Sequence, residues 1–324
     1  MSDFFTDAPE PDARLYCPTC ERANAPTRTA CLYCGAALPI VDASRQRPTF
    51  RQLEEWEAGY NVICFPHDDT SIHLAHAAAW LQMPPETLAH CVEAAAPVPL
   101  RRLATQDEAL LVCQKMQDFG LDVGFIPDRE LALQEAPPQR VRRLDGDETT
   151  VTLDPIGGNP PFSVNWDAIK LFVPGRLVTR QANTQERTKR GQEQQEIIDT
   201  SETGQDELIL DVYAHDLAHS WRIHSNGFDF SCLREAKGLL ATNNFARLCE
   251  ELRACAPDAV WQDAYDQVRP LLATVWPPTQ QSASQGWQRT RGSGLTRQTV
   301  VTNSNETQFT RFSRLCYHLA LNET

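Results

Sequence analysis

Two C-x-x-C pairs, Cys17-Pro-Thr-Cys20 and Cys31-Leu-Tyr-Cys34, stand ten residues apart near the start of this 324-residue chain. The turn inside each pair lets two thiolates converge, so the four sulfurs can share one tetrahedral ion. Four thiolates close the shell and leave no position for water or substrate. The ion expected here is therefore one structural Zn2+ held by Cys17, Cys20, Cys31 and Cys34, with folding of the short segment tied to the metal. Gly35 follows the second pair and Pro18 sits inside the first, in keeping with tight turns at both places.

The stretch 14–39 resembles the short zinc ribbons at the front of many bacterial multidomain proteins. Such ribbons are mostly recognition or docking modules, and that resemblance implies protein partners. Nucleic-acid use of a ribbon needs exposed basic and aromatic residues, and Arg22, Arg28, Tyr16 and Tyr33 are a thin supply.

A net charge of −13 also disfavours long-range attraction to a phosphate backbone. Local clusters of arginine, at 140, 142 and 143 and again at 289, 291 and 297, read as solvated faces. The other seven cysteines are scattered through apolar patterns, which suits a reducing compartment better than a disulfide scaffold. The acidic start MSDFFTDAPEPDAR lacks the basic and apolar parts of a secretory signal, and no apolar run is long enough to span a membrane. A cytoplasmic protein without membrane insertion is expected.

The predicted fold class is α+β and multidomain: a zinc ribbon, a small β-α-α-β-α-β domain, and an antiparallel β-barrel with a C-terminal helix. Residues 1–13 are expected to be disordered, 14–40 to form the ribbon and 41–50 a linker, with the small domain at 51–135. YNVICFP reads as a strand, Pro84 and Pro85 as a helix start, and PVPLRRL as a second strand. Thr105 and Glu108 predict a capping box for the next helix, which Gly120 ends before LDVGFIP.

This order, with PPETLAHCVEAAAP and TQDEALLVCQKMQDFGLDVGFIP, resembles the C-terminal domain of the ribosomal stalk protein and the related Clp-protease adaptor fold over residues 58–128. The stalk protein recruits factors through lysines on its first two helices. Here those helices carry His73, His76, Glu86, His90 and Glu93 and no lysine, so factor binding is not carried over. His67, His73 and His76 with Asp68 and Asp69 raise a second metal site as an alternative to plain capping of the helix by Asp68, Asp69, Thr70 and Ser71.

Residues 136–278 read as strands followed by helices. The cues are an Asp-Gly hairpin signal in RVRRLDGDETTVTLDP, the strands IKLFVPGRLVTR, ELILDVYAH and SWRIHSNGFDFSCL, and a helix capped by Asn243 or Asn244. Over 138–256 this resembles bacterial pleckstrin-homology-like barrels, which implies peptide binding at an edge or barrel end. Residues 181–206, poor in apolar side chains, are expected to be a mobile loop, and 279–306 a disordered linker. At the end, 307–324 places Phe309, Phe312, Leu315 and Leu319 on one helical face that should dock, with Arg311 and Arg314 on the rim.

No nucleophile elbow, phosphate-cradling loop or HExxH occurs. Ser231 and Cys232 with His215, His219, His224 and Asp229 are the residue types of a hydrolase constellation, but they fall on alternating strand positions. The expectation is a non-enzymatic zinc-binding regulatory or scaffolding protein that gathers protein partners. The alternative is a nucleic-acid-associated regulator acting through the ribbon and the Arg-bearing C-terminal tail.

Overall fold

The computed structural model describes residues 15–24, 31–36, 50–54, 56–66, 73–133, 135–188, 195–286, 288–290 and 294–322. It is a mixed α/β structure with a curled, half-barrel β-sheet and an N-terminal cysteine cluster. No described helix is long and apolar enough to cross a membrane.

The cysteine cluster is framed by two strands of two residues, β1 (Leu15–Tyr16) and β2 (Ala23–Asn24), paired antiparallel. After it come β3 (Tyr60–Cys64), α1 (Leu74–Leu81), α2 (Pro85–Val92), β4 (Val98–Leu103), α3 (Gln106–Asp118) and β5 (Val123–Pro127). These give a three-stranded antiparallel sheet in the order β4-β3-β5. The start and stop signals act as read. Pro85 is the first residue of α2, and the Thr105 hydroxyl accepts from the Glu108 N–H while the Glu108 carboxylate accepts from the Thr105 N–H. Gly120 closes α3 at φ 87°.

The larger sheet follows. It comprises β6 (Gln139–Gly146), β7 (Thr150–Pro155), β8 (Phe162–Asn165), β9 (Ile169–Thr188), β10 (Gln195–Ala214) and β11 (Trp221–His224). After these come α4 (Ala241–Cys255), β12 (Val260–Trp261), α5 (Tyr265–Leu272), β13 (Thr279–Ser284), β14 (Gln288–Thr290), β15 (Gly294–Ser304) and α6 (Glu306–Asn322). The path is β13-β15-β9-β10-β11-β6-β7-β8, with β12 on β9 and β14 on β15. An antiparallel barrel was expected. The sheet is instead mixed, because β6 and β11 pair in parallel, and among the described residues its path does not close.

Two further expectations are overturned. Residues 181–188 and 195–206 are not a mobile loop but the outer parts of β9 and β10, paired from Thr188–Gln195 inward. Nor are residues 279–286, 288–290 and 294–306 a disordered linker, since β13, β14 and β15 extend the same sheet. Polar strands of this kind lack apolar alternation, and they hold through the ladder of β15, β9 and β10 rather than through a core. The hairpin turn signalled at Asp145-Gly146 falls three residues later, on Glu148 and Thr149. The turn is held by Asp147, whose carboxylate accepts from the N–H groups of Thr149 and Thr150 at 2.8 Å each, which with the Thr hydroxyls holds its pKa down at about 2.

Each face of the sheet has its own core. On one, Leu171, Val173 and Leu177 of β9 and Ile209 and Tyr213 of β10 pack with α5, α6 and the whole small α/β unit. On the other, Phe172, Leu210, Val212, Trp221 and Ile223 pack with Phe245, Leu248 and Leu252 of α4. The period of two along β9 and β10 produces this division directly. Asn244 does not cap α4, which begins at Ala241. From inside the helix its amide clamps the preceding loop by accepting from the Gly238 N–H (2.6 Å) and donating to the Gly238 carbonyl (3.0 Å).

The C-terminal helix α6 docks on its own chain, with Phe309, Phe312 and Leu315 fully buried and Leu319 partly so. It comes so close to β9 that a Cβ at Gly175 would press on the Phe309 ring and meet Tyr265 Cδ1 at 2.9 Å. Arg311 and Arg314 are not rim residues. Both are buried, and Arg314 Nη2 donates to the Ala136 carbonyl at 2.7 Å.

Two polar systems cross this core. In the first, Arg222 donates to both Asp211 oxygens at 2.6 and 2.8 Å, and Ser313 Oγ of α6 donates to Asp211 Oδ2 at 2.7 Å and lies 2.7 Å from the Tyr213 hydroxyl. Burial, and next the Asp211 charge, push the Tyr213 phenol well above its ordinary pKa, so it stays neutral. In the second, Arg102 pairs with Asp128 (2.6 Å), the Asn61 amide donates to Asp128 (2.8 Å), and Trp276 Nε1 donates to Asn61 Oδ1 (3.0 Å). Gln308 then donates to the Trp276 carbonyl, Tyr265 to Gln308, and Asn305 to Tyr265. Core and hydrogen bonds are thus continuous across the expected boundary at 135/136.

Asp211→Ala is expected to destabilise the protein by about 3–5 kcal/mol, because it strands a guanidinium in a dry core. Replacing both partners by apolar residues, Asp211→Leu with Arg222→Met, should cost less than the single change. Urea denaturation of the three proteins measures the difference, and a double variant as weak as the single one would contradict it.

Candidate metal centre

The sequence of the N-terminal module makes two similar knuckles. In the first, the Glu21 N–H donates to the Cys17 carbonyl (2.8 Å) and the Cys17 N–H to the Arg22 carbonyl (3.0 Å). In the second, Gly35 N–H donates to Cys31 (3.0 Å) and Cys31 N–H to Ala36 (2.8 Å). The residue four positions after each leading cysteine takes a positive φ, 56° at Glu21 and 70° at Gly35. Within each knuckle an N–H two residues on, from Thr19 or Tyr33, donates to the leading sulfur at 3.4 Å.

The knuckles bring Cys17, Cys20, Cys31 and Cys34 together with all four sulfurs within 4.8 Å of one another. Cys17 and Cys34 lie 3.6 Å apart and Cys20 and Cys31 3.5 Å. A tetrahedron with metal–sulfur bonds of about 2.3 Å has edges of about 3.8 Å, so the cluster fits an ion at its centre. The separations are far beyond a disulfide bond of about 2.05 Å, and all eleven cysteines are free thiols.

The thiols act on one another's ionisation. Burial opposes ionisation of Cys31, but N–H groups of Tyr33 and Cys34 and the Asn24 amide outweigh it and bring the thiol down to about 6. Cys20 goes the other way. The Arg22 N–H favours its thiolate, yet burial and the three neighbouring sulfurs push it up to about 12. Four thiolates at this spacing need a cation between them.

Two contributors were not visible in the spacing. Asn24 is buried, donates to Cys31 Sγ (3.5 Å) and to the Arg22 carbonyl (2.8 Å), and accepts from Leu32 N–H (2.9 Å), so it ties one knuckle to the other. Glu21 occupies the position matching Gly35. Comparing the two cysteine-plus-four positions is the signal that would have exposed it.

Other candidate residues fare differently. His73 precedes α1 and its ring meets that of His76 edge-on at 6.1 Å, while His76 stacks on Phe119. His67, Asp68, Asp69, Thr70 and Ser71 lie outside the described residues. Of the catalytic types, His219 pairs with Asp216 (2.8 Å), His224 with Glu207 (3.0 Å) and Ser231 with Asp229 (3.1 Å). The two histidines bond carboxylates outside the candidate set, and the bond within it joins Ser231 to Asp229, two residues before it, without a histidine. His215 takes part through its backbone carbonyl, which accepts from Tyr317. Burial, with the Glu251 charge next, pushes the Cys232 thiol up to about 11, the reverse of an activated nucleophile.

Nothing lies within 4 Å of a Cβ added at Gly35, so Gly35→Ala isolates the cost of a left-handed backbone, about 1 kcal/mol. Glu21→Gly should relieve a similar strain. Competition with a chelator is expected to show weaker metal retention for the first and equal or tighter retention for the second. Equal losses in both would refute the matched-knuckle reading.

No protein-family model, curated protein or solved structure matches the chain. The stalk-like and pleckstrin-homology-like resemblances therefore rest on residue pattern and element order alone.

Proposed function

We propose that this chain is a non-enzymatic, cytoplasmic regulatory or scaffolding protein whose N-terminal module binds one structural zinc ion and docks protein partners. The observation that carries the reading is the convergence of four sulfurs in a closed set. Thiolate ligands in tetrahedral number suit zinc, and among the described residues the cluster offers four donors and no fifth.

The surface of the module supports docking. Tyr16, Leu32 and Tyr33 are 63%, 63% and 54% exposed, an apolar display on a segment of a few ordered residues. Arg22 lies over the Tyr33 ring at 4.7 Å. Aromatic and arginine side chains of this kind anchor protein interfaces. The same stack is the feature behind the nucleic-acid reading, to which the overall charge of −13 is opposed.

Metal analysis of the purified protein is expected to give one zinc per chain, and none in the Cys17→Ser, Cys20→Ser double variant. Protein partners recovered from the native source should survive nuclease and be lost with the double variant. Absence of zinc from the native protein would end the metal assignment, and partners removed by nuclease would shift the reading to nucleic acid.

A further inference from the structure

The outer halves of β9 and β10, with β15 and β13, project beyond both cores as a four-stranded blade. From Thr179 outward, neither β9 nor its partners 199–205 on β10 and 295–304 on β15 belong to either core among the described residues. A ribbon of strands with no face to bury is marginal in water. Its ladder also leaves two free edges, one on β10 and one on β13 and β14.

The β10 edge is long. β11 pairs only with Ile209–Val212, and among the described residues no strand pairs with the outer side of 199–206, all exposed. Unpaired N–H and C=O groups there form a template for another strand. Proteins commonly protect such edges with lysine or proline, and neither occurs between 195 and 207. The edge carries Asp199, Glu202 and Asp206 and no cation, although Arg176 approaches Asp206 at 3.8 Å.

The opposite edge differs in charge. β13 is TQQSAS, exposed from Gln280 to Ser284 and without an acid. The edges also match in height: Thr279–Ser284 pairs with Thr299–Ser304, those residues with Thr179–Thr184, and these in turn with Thr200–Gln205. Every pairing in the blade is antiparallel, so β13 and β10 run in opposite directions. A second copy displaced sideways would place its β13 antiparallel to β10 and continue the alternation. Two β10 edges related by a two-fold axis would instead set carboxylates against carboxylates.

We propose that the blade is a self-association element in which the β10 edge of one copy receives the β13–β14 edge of the next. This contact uses two different surfaces, so it is heterologous and can extend beyond a dimer. It is independent of the zinc reading, since no residue of the metal module takes part.

Sedimentation of the full-length protein from micromolar to millimolar concentration tests it. The wild type should rise past twice the mass of one chain. Glu202→Pro on β10 and Ser282→Pro on β13, both at positions whose N–H faces away from the paired neighbour, should each be monomeric alone, and their mixture should stop at twice the mass, because each supplies the edge the other lacks. Hydrogen exchange of the wild type provides a reading that no variant can spoil: amides in 199–206 and 279–284 should slow together as concentration rises. A wild type that stays monomeric with concentration-independent exchange at both edges would overturn the proposal. So would a dimer that persists in Glu202→Pro while 279–284 alone is protected, since that is a two-fold β13 pairing.

Discussion

The Asp211–Arg222 pair is the constraint around which the larger unit is arranged. Two charges withdrawn from water are tolerable only when every donor and acceptor is met, and here Ser313, Thr310 and Glu306 complete what the bidentate pair leaves open. Because Asp211 is on β10, Arg222 on β11 and Ser313 on α6, one cluster fixes a strand register and a helix position together. A slip of one residue along β11 would turn Arg222 into the opposite core and carry Trp221 and Ile223 out of it. The apolar face of α6 supplies attraction, and the polar cluster selects one seat for it.

The cysteine module obeys a different rule. Among the described residues its packed centre is Cys17 and Cys31 with Cys20 and Ala36, far too little apolar surface to order a chain segment. Its order comes from backbone turns, the Asn24 clamp and the convergence of sulfurs. The sheet units hold by burial on two faces, so the two parts of the protein are stabilised by unrelated physics.

What the sequence disclosed follows from which forces leave a local trace. Caps and turns do, as at Thr105, Pro85 and Gly120, and so does the metal spacing, which named all four cysteines. The small unit's order of strand and helix was legible for the same reason. The outer strands of β9, β10, β13 and β15 were not, because Thr, Gln and Ser repeated without apolar alternation carry the composition of a solvated loop, and only pairing with distant strands makes them regular. Arg311 and Arg314 misled because charge on a helix normally marks solvent, whereas here Ala136 and the packed units around α6 enclose them. Glu21 and Asn24 escaped notice since neither residue type advertises a left-handed turn or a thiolate hydrogen bond.

The hydrogen-bonded file from Asp128 through Asn61, Trp276 and Gln308 to Asn305 joins residues up to 215 positions apart. On a ribosome, the strand bearing Asn61 emerges long before Trp276 and α6 exist. Until α6 is released, the inner faces of the small unit and of β9 have no permanent cover. A core begun by the strand bearing Asn61 is therefore completed only by α6, and a variant lacking α6 is left open along that entire core rather than merely frayed at one end.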